Sequence, residues 1–472
     1  MTGAPARLTG DWFAGDLTAN QAIFRSLREM RNKVRQLARE NDLCRRFITL
    51  MKAKVIGSKP IKFQAMVRMV KDDKMVLDRP ANAILEAAME DFSRRGIFDV
   101  TGQLSRQAME LLVVGSVIVD GEFLGRKIRG ARNAYGFALQ ALDPALLDEN
   151  LNRVAAPGVN EIVLGIERDS FGRPVNYYFR EEKEQAAWGM PMGVVSKHQV
   201  VPAADIVHVY IVERPGQVRG VTWLCSSGLR MKLLDGYEHA VVVGKRVAAA
   251  KIGILQRGGA EDYEGDGEDS EGRRQMTADP GEFEVLPEGW QFKEWNPPDM
   301  GESMAEFERS IKQGIASGLS ISYPSLSSDL TGVSYSSIRQ GELLDRDLYA
   351  LFQTLVIDQF EEAWYEDFLQ MAFTSGAIAL PLEKLRKFAA RAWQPRQWDW
   401  VAPEKMMQAQ RMKREMGVSA TTLLAEMGYD IEEEAERIEA EPKTMLTSSA
   451  LFTIGDNPDN YGGTPAPAAP AK

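Results

Sequence analysis

Apolar residues recur in two different periods along this chain of 472 residues, and the change of period divides it. Ile23, Leu27, Met30, Val34 and Leu37 fall at alternating spacings of four and three, which predicts an amphipathic helix with a basic far face. Asn41-Asp42 caps a second helix carrying Phe47, Ile48, Met51 and Val55, and Gly57 with Pro60 stops it. A third helix follows Pro80, with Ile84, Leu85, Ala88 and Phe92 on its inner face. From Leu111 to Tyr210 the period shortens. VVGSVIVDG, FALQALD, EIVLGIERD, VNYYFRE and DIVHVYIVE read as short strands of a small mixed sheet, separated by Gly, Pro and Asp. Helices and strands are segregated, which predicts an α+β fold.

The helical period then returns. Thr222 is placed to cap a helix from Trp223, with Leu233, Tyr237, Ala240, Val241, Gly244, Val247 and Ala248 on one face. Running to Ala250, it would be about 42 Å long. Residues 251–300 lose the period: IGILQ and EFEVLP read as strands around an acidic, Gly-rich loop, and Pro297-Pro298 forces an extended exit. Met304, Phe307, Ile311 and Ile315 mark another helix, up to Gly318. A polar loop from Ser320 to Ser334 leads into the longest pattern, which begins at Tyr335. There Leu344, Leu348, Leu351, Leu355, Phe352, Val356, Phe360 and Ala363 predict one apolar face, with Asp345, Arg346, Asp347, Glu361 and Glu362 largely outside it. A polar loop of this size between two patterned helices is expected to be held in place and to have a role. Pro403 opens a further helix, an acidic helix follows Gly428, and NPDNYGGTPAPAAPAK reads as a flexible tail.

Net charge is −10, so the average field repels nucleic acid rather than gripping it. Charge is segregated: ten bases against three acids between Arg25 and Lys54, and seven acids without a base between Glu261 and Glu271. Asp430 to Glu441 holds seven acids and one base. Cys44 and Cys225 stand far apart, outside any C-x-x-C, and read as buried apolar thiols in a reducing compartment. No run reaches the roughly 20 apolar residues of a membrane span, and the first twenty residues lack a signal-type apolar core.

Catalytic signatures are missing. There is no P-loop (Gly244-Lys245 is followed by Arg246), no G-x-S-x-G, no H-E-x-x-H and no dinucleotide-binding glycine pattern. His198, His208 and His239 lack metal-ligand spacing; His208 reads as a core residue and His239 as an exposed one. Asp345 and Asp347 read as helix-surface acids. MGVSATTLLAEMGYDIEEEAERIEAE has helix-turn-helix spacing, but Glu432, Glu433, Glu434 and Glu436 would repel phosphate. A soluble α+β enzyme with a carboxylate-based site and a non-ring structural adaptor remain alternatives, each without a local motif.

Several runs, in order, resemble the lambda-type portal proteins of tailed bacteriophages. They are RNKVRQLARENDLCRRFITLMKAKVIG, ALDPALLD, ERPGQVRGVTWL, GLSISYPSLSSDLTGVSYSSIRQGELLDRD, WDWVAPEK and GVSATTLLAEMGYDIEE. The resemblance implies a portal-like α+β chain with an N-terminal arm and wing (1–221), a first stem helix (222–250), a clip (251–300) and a second stem helix (301–318). A tunnel loop (319–334), a return to the wing (335–401), a crown (402–441) and a flexible tail (442–472) complete it. It implies no enzyme activity and no cofactor or metal. It further implies a homo-oligomeric ring of about twelve copies at one capsid vertex of a virion assembled in the host cytoplasm, with double-stranded DNA passing through. Other expected partners are the terminase large subunit, a head-completion (connector) protein and the major capsid protein; no membrane is involved. The DNA-facing residues it implies are Ser325, Ser327, Ser328, Asp329, Leu330 and Thr331, with Asp329 repelling phosphate from a mobile loop. Clip docking would fall to Arg257, Glu284, Trp290, Lys293 and Trp295.

Overall fold

The computed structural model describes residues 16–71, 73–180, 198–249, 254–257, 267–268, 274–275, 290–293, 301–332, 334–398, 403–419 and 423. In chain order it opens with α1 (Ala19–Glu40), α2 (Asp42–Val55), β1 (Lys62–Ala65), β2 (Arg68–Lys71), β3 (Lys74–Leu77), α3 (Arg79–Phe92) and α4 (Arg106–Val119). Strands β4 (Glu122–Arg129), β5 (Phe137–Leu142), β6 (Glu161–Val163), β7 (Ile166–Arg168), β8 (Pro174–Arg180), β9 (His198–Pro202) and β10 (Ile206–Tyr210) follow. Next come α5 (Gly228–Ala249), β11 (Ile254–Arg257), β12 (Gly267–Glu268), β13 (Arg274–Gln275), β14 (Trp290–Lys293), α6 (Gly301–Gly318) and α7 (Tyr323–Ser327). The last are α8 (Tyr335–Val356), α9 (Glu362–Thr374), α10 (Leu385–Phe388), β15 (Arg391–Gln394) and α11 (Pro403–Glu415). The chain divides into two compact units, Met1–Ala65 with Ala83–Gln397, and Met66–Asn82 with Trp398–Lys472.

In the first unit, Thr18 and Gln21 form a capping box at the start of α1, and Ile23, Leu27 and Val34 are buried as the spacing predicts. Asn41 caps α2, which buries Cys44, Phe47, Met51 and Val55. In α3, Leu85, Ala88 and Phe92 face inward, whereas Ile84 does not. The run VVGSVIVDG is a helix and not a strand. Ser105 accepts the Ala108 N–H to start α4, and Val113, Val114, Val117 and Ile118 are buried against surrounding elements. A short apolar run fits a core helix or a core strand equally well, and here the cap and the packing decide.

The expected mixed sheet is two antiparallel sheets. One has the order β10-β4-β5, with Val207 opposite Gly125 and Leu124 opposite Leu142. The other runs β6-β7-β8-β9 in sequence order. Leu124, Leu164, Ile166, Tyr177, Phe179 and Val201 form one core with Ile23 and Leu27 of α1. The α+β class holds.

Thr222 caps a 3-10 turn, Trp223–Ser226, and the α-helix itself starts at Gly228. Its buried face is Met231, Leu234 and Val241, so the expected stripe is rotated and Leu233 lies in solvent. Tyr237 sits edge-on to Phe307 of α6, ring centroids 5.1 Å apart. After α8, a π-helical turn, Ile357–Glu361, leads into α9. Phe352, Val356 and Phe360 are buried as expected; Leu344 and Leu351 are exposed, while Asp345 and Glu361 point inward. Phe92, Trp364 and Phe368 form an aromatic core, with Phe92 stacked on Phe368 at 4.2 Å. Cys44 is buried as expected, but Cys225 is exposed.

Between α5 and α6 the described backbone forms two ladders, β11 with β14 and β12 with β13. Arg257 lies opposite Trp290, and Ile254 opposite Lys293. EFEVLP, Glu284 and Trp295 lie outside the described residues, as do residues 1–15 of the N-terminal arm, the acidic C-terminal helix and the tail. In the second unit, β2 and β3 form an antiparallel hairpin. The Asn82 amide closes onto Val67, accepting its N–H at 3.0 Å and donating to its C=O at 3.3 Å.

Candidate functional site

The loop between α6 and α8 is tied down at its entry. Ser226 Oγ donates to the Gly318 carbonyl at 2.8 Å, Ser227 Oγ to Ile315 at 3.2 Å, and Trp223 Nε1 to Leu319 at 3.2 Å. The Gly318 carbonyl is one that the end of a helix leaves open, whereas the Ile315 carbonyl also accepts the Leu319 N–H. The segment before α5 therefore caps α6, and Ile315, Ala316, Leu319 and Ile321 are buried beside it.

Within the loop, residues Tyr323–Ser327 form the short helix α7, with Pro324 in its first turn. The Ser322 side chain does not cap it. Instead Asp345, reaching across from α8, accepts three hydrogen bonds: Ser322 N–H at 2.7 Å, Ser322 Oγ at 2.8 Å and Ser325 Oγ at 2.6 Å. Asp345 is only 2% exposed, so it lies inside the fold and not on the helix surface expected from its charge. A buried carboxylate needs such donors, since each lone pair left without one costs free energy.

The second half of the loop has a different fastening. Arg309 of α6 donates through Nη2 to Asp329 Oδ2 at 2.8 Å and to Thr331 Oγ1 at 2.7 Å; Tyr323 Oη donates to the same carboxylate at 2.9 Å. The Thr331 hydroxyl and Arg309 together hold the Asp329 carboxyl well below the usual carboxylate range. The pair is accessible, with Arg309 45% and Asp329 27% exposed in their side chains.

Of the six loop residues expected to face a channel, three are exposed: Ser328, Leu330 and Thr331. Ser325 points at Asp345. Ser327 Oγ donates to the Tyr323 carbonyl and accepts the Asp329 N–H, closing α7 where Ser328 takes a left-handed conformation. Asp329 is not a free anion, because Arg309 answers its charge. The loop is held in place, as its two patterned flanking helices predict, and in place of the mobility the resemblance implies it has a fixed first half and a latched second half. Sequence reading missed Arg309, Tyr323 and Asp345. A usable signal existed for Asp345: it stands three and seven residues before Leu348 and Phe352, on the buried row.

A second polar constellation ties the sheet of β4 to the segment that leads into α5. Glu122, fully buried, accepts from Arg219 Nε at 2.9 Å, Arg31 Nη2 at 3.3 Å, the Gly220 N–H at 3.2 Å and His208 Nε2 at 3.1 Å. His208 Nδ1 meets the Tyr177 hydroxyl at 3.2 Å. Burial by itself would raise the Glu122 pKa, but Arg219 and His208 outweigh it and hold the carboxyl well below its usual range. His208 is pushed down by burial against the pull of Glu122, which favours the neutral ring. This explains the run ERPGQVRGVTWL: Gln217 accepts the N–H groups of Glu213 and Arg214, Arg219 reaches Glu122, and Thr222 Oγ donates to Ile118. Gly220 passes so close to the Gly121 backbone that any side chain there would collide. A third buried cluster sets Arg106 between Glu110 and Glu361, both 0% exposed. Burial and the neighbouring carboxylate push the Glu110 pKa well up.

Among the described residues no group of His, Cys, Asp and Glu is arranged to hold a metal ion, and no helix is long and apolar enough to cross a membrane.

A sequence model of the family described as phage portal protein, lambda family, matches residues 6–353. The chain belongs to that family. The probable portal protein of Halomonas phage phiHAP-1 is 29% identical over 409 residues, which cover 84% of this chain and 77% of that protein. Portal protein B of Escherichia phage lambda is 23% identical over 273 residues, 51% of this chain and 49% of that protein. A chain in the neck of a native gene transfer agent particle, computed with C12 symmetry, has 14% identity and a TM-score of 0.45. That comparison covers 84% of this chain and 93% of the other. The portal match spans the loop, both its fastenings and the Glu122 cluster, and of the Arg106 cluster it includes Arg106 and Glu110 but not Glu361.

Proposed function

We propose that the chain closes into a ring of about twelve copies at one capsid vertex and serves as the conduit for DNA packaging and ejection. The observation that carries this reading is the portal-family match, which runs from residue 6 to residue 353. In this reading residues 1–221 and 335–401 form the wing, 222–250 and 301–318 the stem, 251–300 the clip, and 402–441 the crown. The terminase large subunit and later a head-completion protein dock at the clip, through Arg257, Glu284, Trp290, Lys293 and Trp295. The major capsid protein surrounds the ring. The protein is structural and has no cofactor.

Residues Ser328, Leu330 and Thr331 face the duplex as the tunnel loop. Their support is that a polar, exposed turn is held out by a fixed base at Asp345. With Asp329 neutralised by Arg309, the turn presents hydroxyls and one leucine, which give passing phosphates no deep well. Electron microscopy of the purified full-length chain tests the reading directly. Rings with residues 328–331 on the lumen are expected; a monomer at high concentration, or rings with that turn on the outer rim, would refute it.

A further inference from the structure

A groove of about 410 Å³ opens between α1, α2 and α4, with no loop residue in its lining. It is lined by Ala38, Arg45, Ile48, Thr49, Lys52, Leu112, Gly115, Ser116, Val119 and Asp120. Its charge is unbalanced. Asp120, the one acid in the lining, is already bound by Arg35 through bonds of 2.6 and 3.0 Å. Neither the Arg45 nor the Lys52 side chain has a hydrogen-bond or ion-pair partner among the described residues. Lys52 is half-buried, and burial pushes its pKa down with no anion opposing the shift. An ammonium group withdrawn from water without a counter-ion costs free energy, so the fold maintains a cation there at a loss.

Room is made for that cation. Gly115 lies mid-helix in α4, where glycine costs about 1 kcal/mol relative to alanine. A Cβ there would stand 2.5 Å from Lys52 Cε and 2.8 Å from Nζ, so the glycine lets the lysine head lie across the helix. Thr49 and Ser116 line the same space.

We propose that this groove receives an acidic peptide segment of another protein chain, whose carboxylates seat on Lys52 and Arg45. The volume is that of a small-ligand pocket and fits a few side chains. A duplex, about 20 Å across, is much wider than a groove of this volume. The site is independent of the tunnel-loop reading.

The test is fluorescence anisotropy with the full-length protein and a labelled oligoglutamate peptide, with an oligoglutamine peptide as control. Saturable binding of the glutamate peptide alone is expected. The pair Arg45→Gln/Lys52→Gln should weaken it roughly tenfold or more, since each lost contact is charge-assisted. Arg28→Gln/Lys59→Gln, which removes the same charge elsewhere, should not. Should the first pair fail to fold, Gly115→Ala displaces the Lys52 head while favouring the helix, and should also weaken binding. Equal loss in the control pair, undiminished binding in the groove variants, or no saturable binding would overturn the proposal. So would a short DNA duplex that competes as well as unlabelled oligoglutamate.

Discussion

Two arginine–carboxylate pairs in this portal protein use the same chemistry to opposite ends. Arg219 and Glu122 are both 0% exposed, and the carboxylate also accepts from Arg31, His208 and a backbone N–H. Arg309 and Asp329 meet at 2.8 Å in solvent. A buried pair brings a desolvation cost that only complete hydrogen bonding offsets, so removing one partner leaves a charge with nowhere to go. An exposed pair is screened by water and salt, and its opening costs little. The first fixes how the sheet meets the segment that leads to α5. The second can release residues 328–332 without disturbing the rest of the loop, because Asp345 holds the base separately. Burial, and not the identity of the pair, separates scaffold from latch.

The largest expected effect is at the buried pair. Arg219→Met should cost about 3–5 kcal/mol of stability, read from denaturant unfolding; a loss below about 1 kcal/mol would break the contrast. Next, Asp345→Ala strips the acceptor from three donors and should cost about 1.5–3 kcal/mol. Hydrogen exchange should then quicken at 322–326, and unchanged protection there would mean the base is held by something else.

A smaller effect concerns pH. His208 has a lowered folded pKa, so the unfolded chain binds its proton first. Its contribution is complete above about pH 6.5 and falls away as pH drops toward the folded value. Glu122, also lowered, adds loss in the same direction at lower pH, below about pH 4.3. Thermal melts between pH 8 and 5 should show the decline near pH 6, and His208→Gln should remove that step. If the variant retains it, another group sets the acid response. The smallest change is expected at the latch. Arg309→Ala should leave the thermal midpoint in place while speeding exchange at 328–332, and high salt should reproduce this in the unaltered protein. A large fall in midpoint would erase the distinction between latch and scaffold. Because Asp329 is depressed, the latch should hold fully above about pH 4 and loosen only as pH falls further.

Much of the helical framework was legible because periodicity of three and four registers burial along a single element. Ile23, Leu27 and Val34, or Phe47, Met51 and Val55, are buried as their spacing says. The family resemblance was legible because several separate runs stand in one order. Strand against helix at VVGSVIVDG was not legible, since an apolar run without alternation satisfies either geometry until neighbours cover it on all sides. Nor was the rotated face of α5, where the element that packs against a helix chooses among its apolar rows.

What the chain determined by itself was the order and approximate ends of most of its long helices and the family they compose, because caps, turns and hydrophobic period act over a few residues. What only the tertiary structure decided was the fate of its charges. Asp345 and Asp347 look alike in sequence, yet one is buried beneath two serines and the other is exposed. A carboxylate's free energy depends on solvent and donors brought from distant parts of the chain, and no local pattern records them.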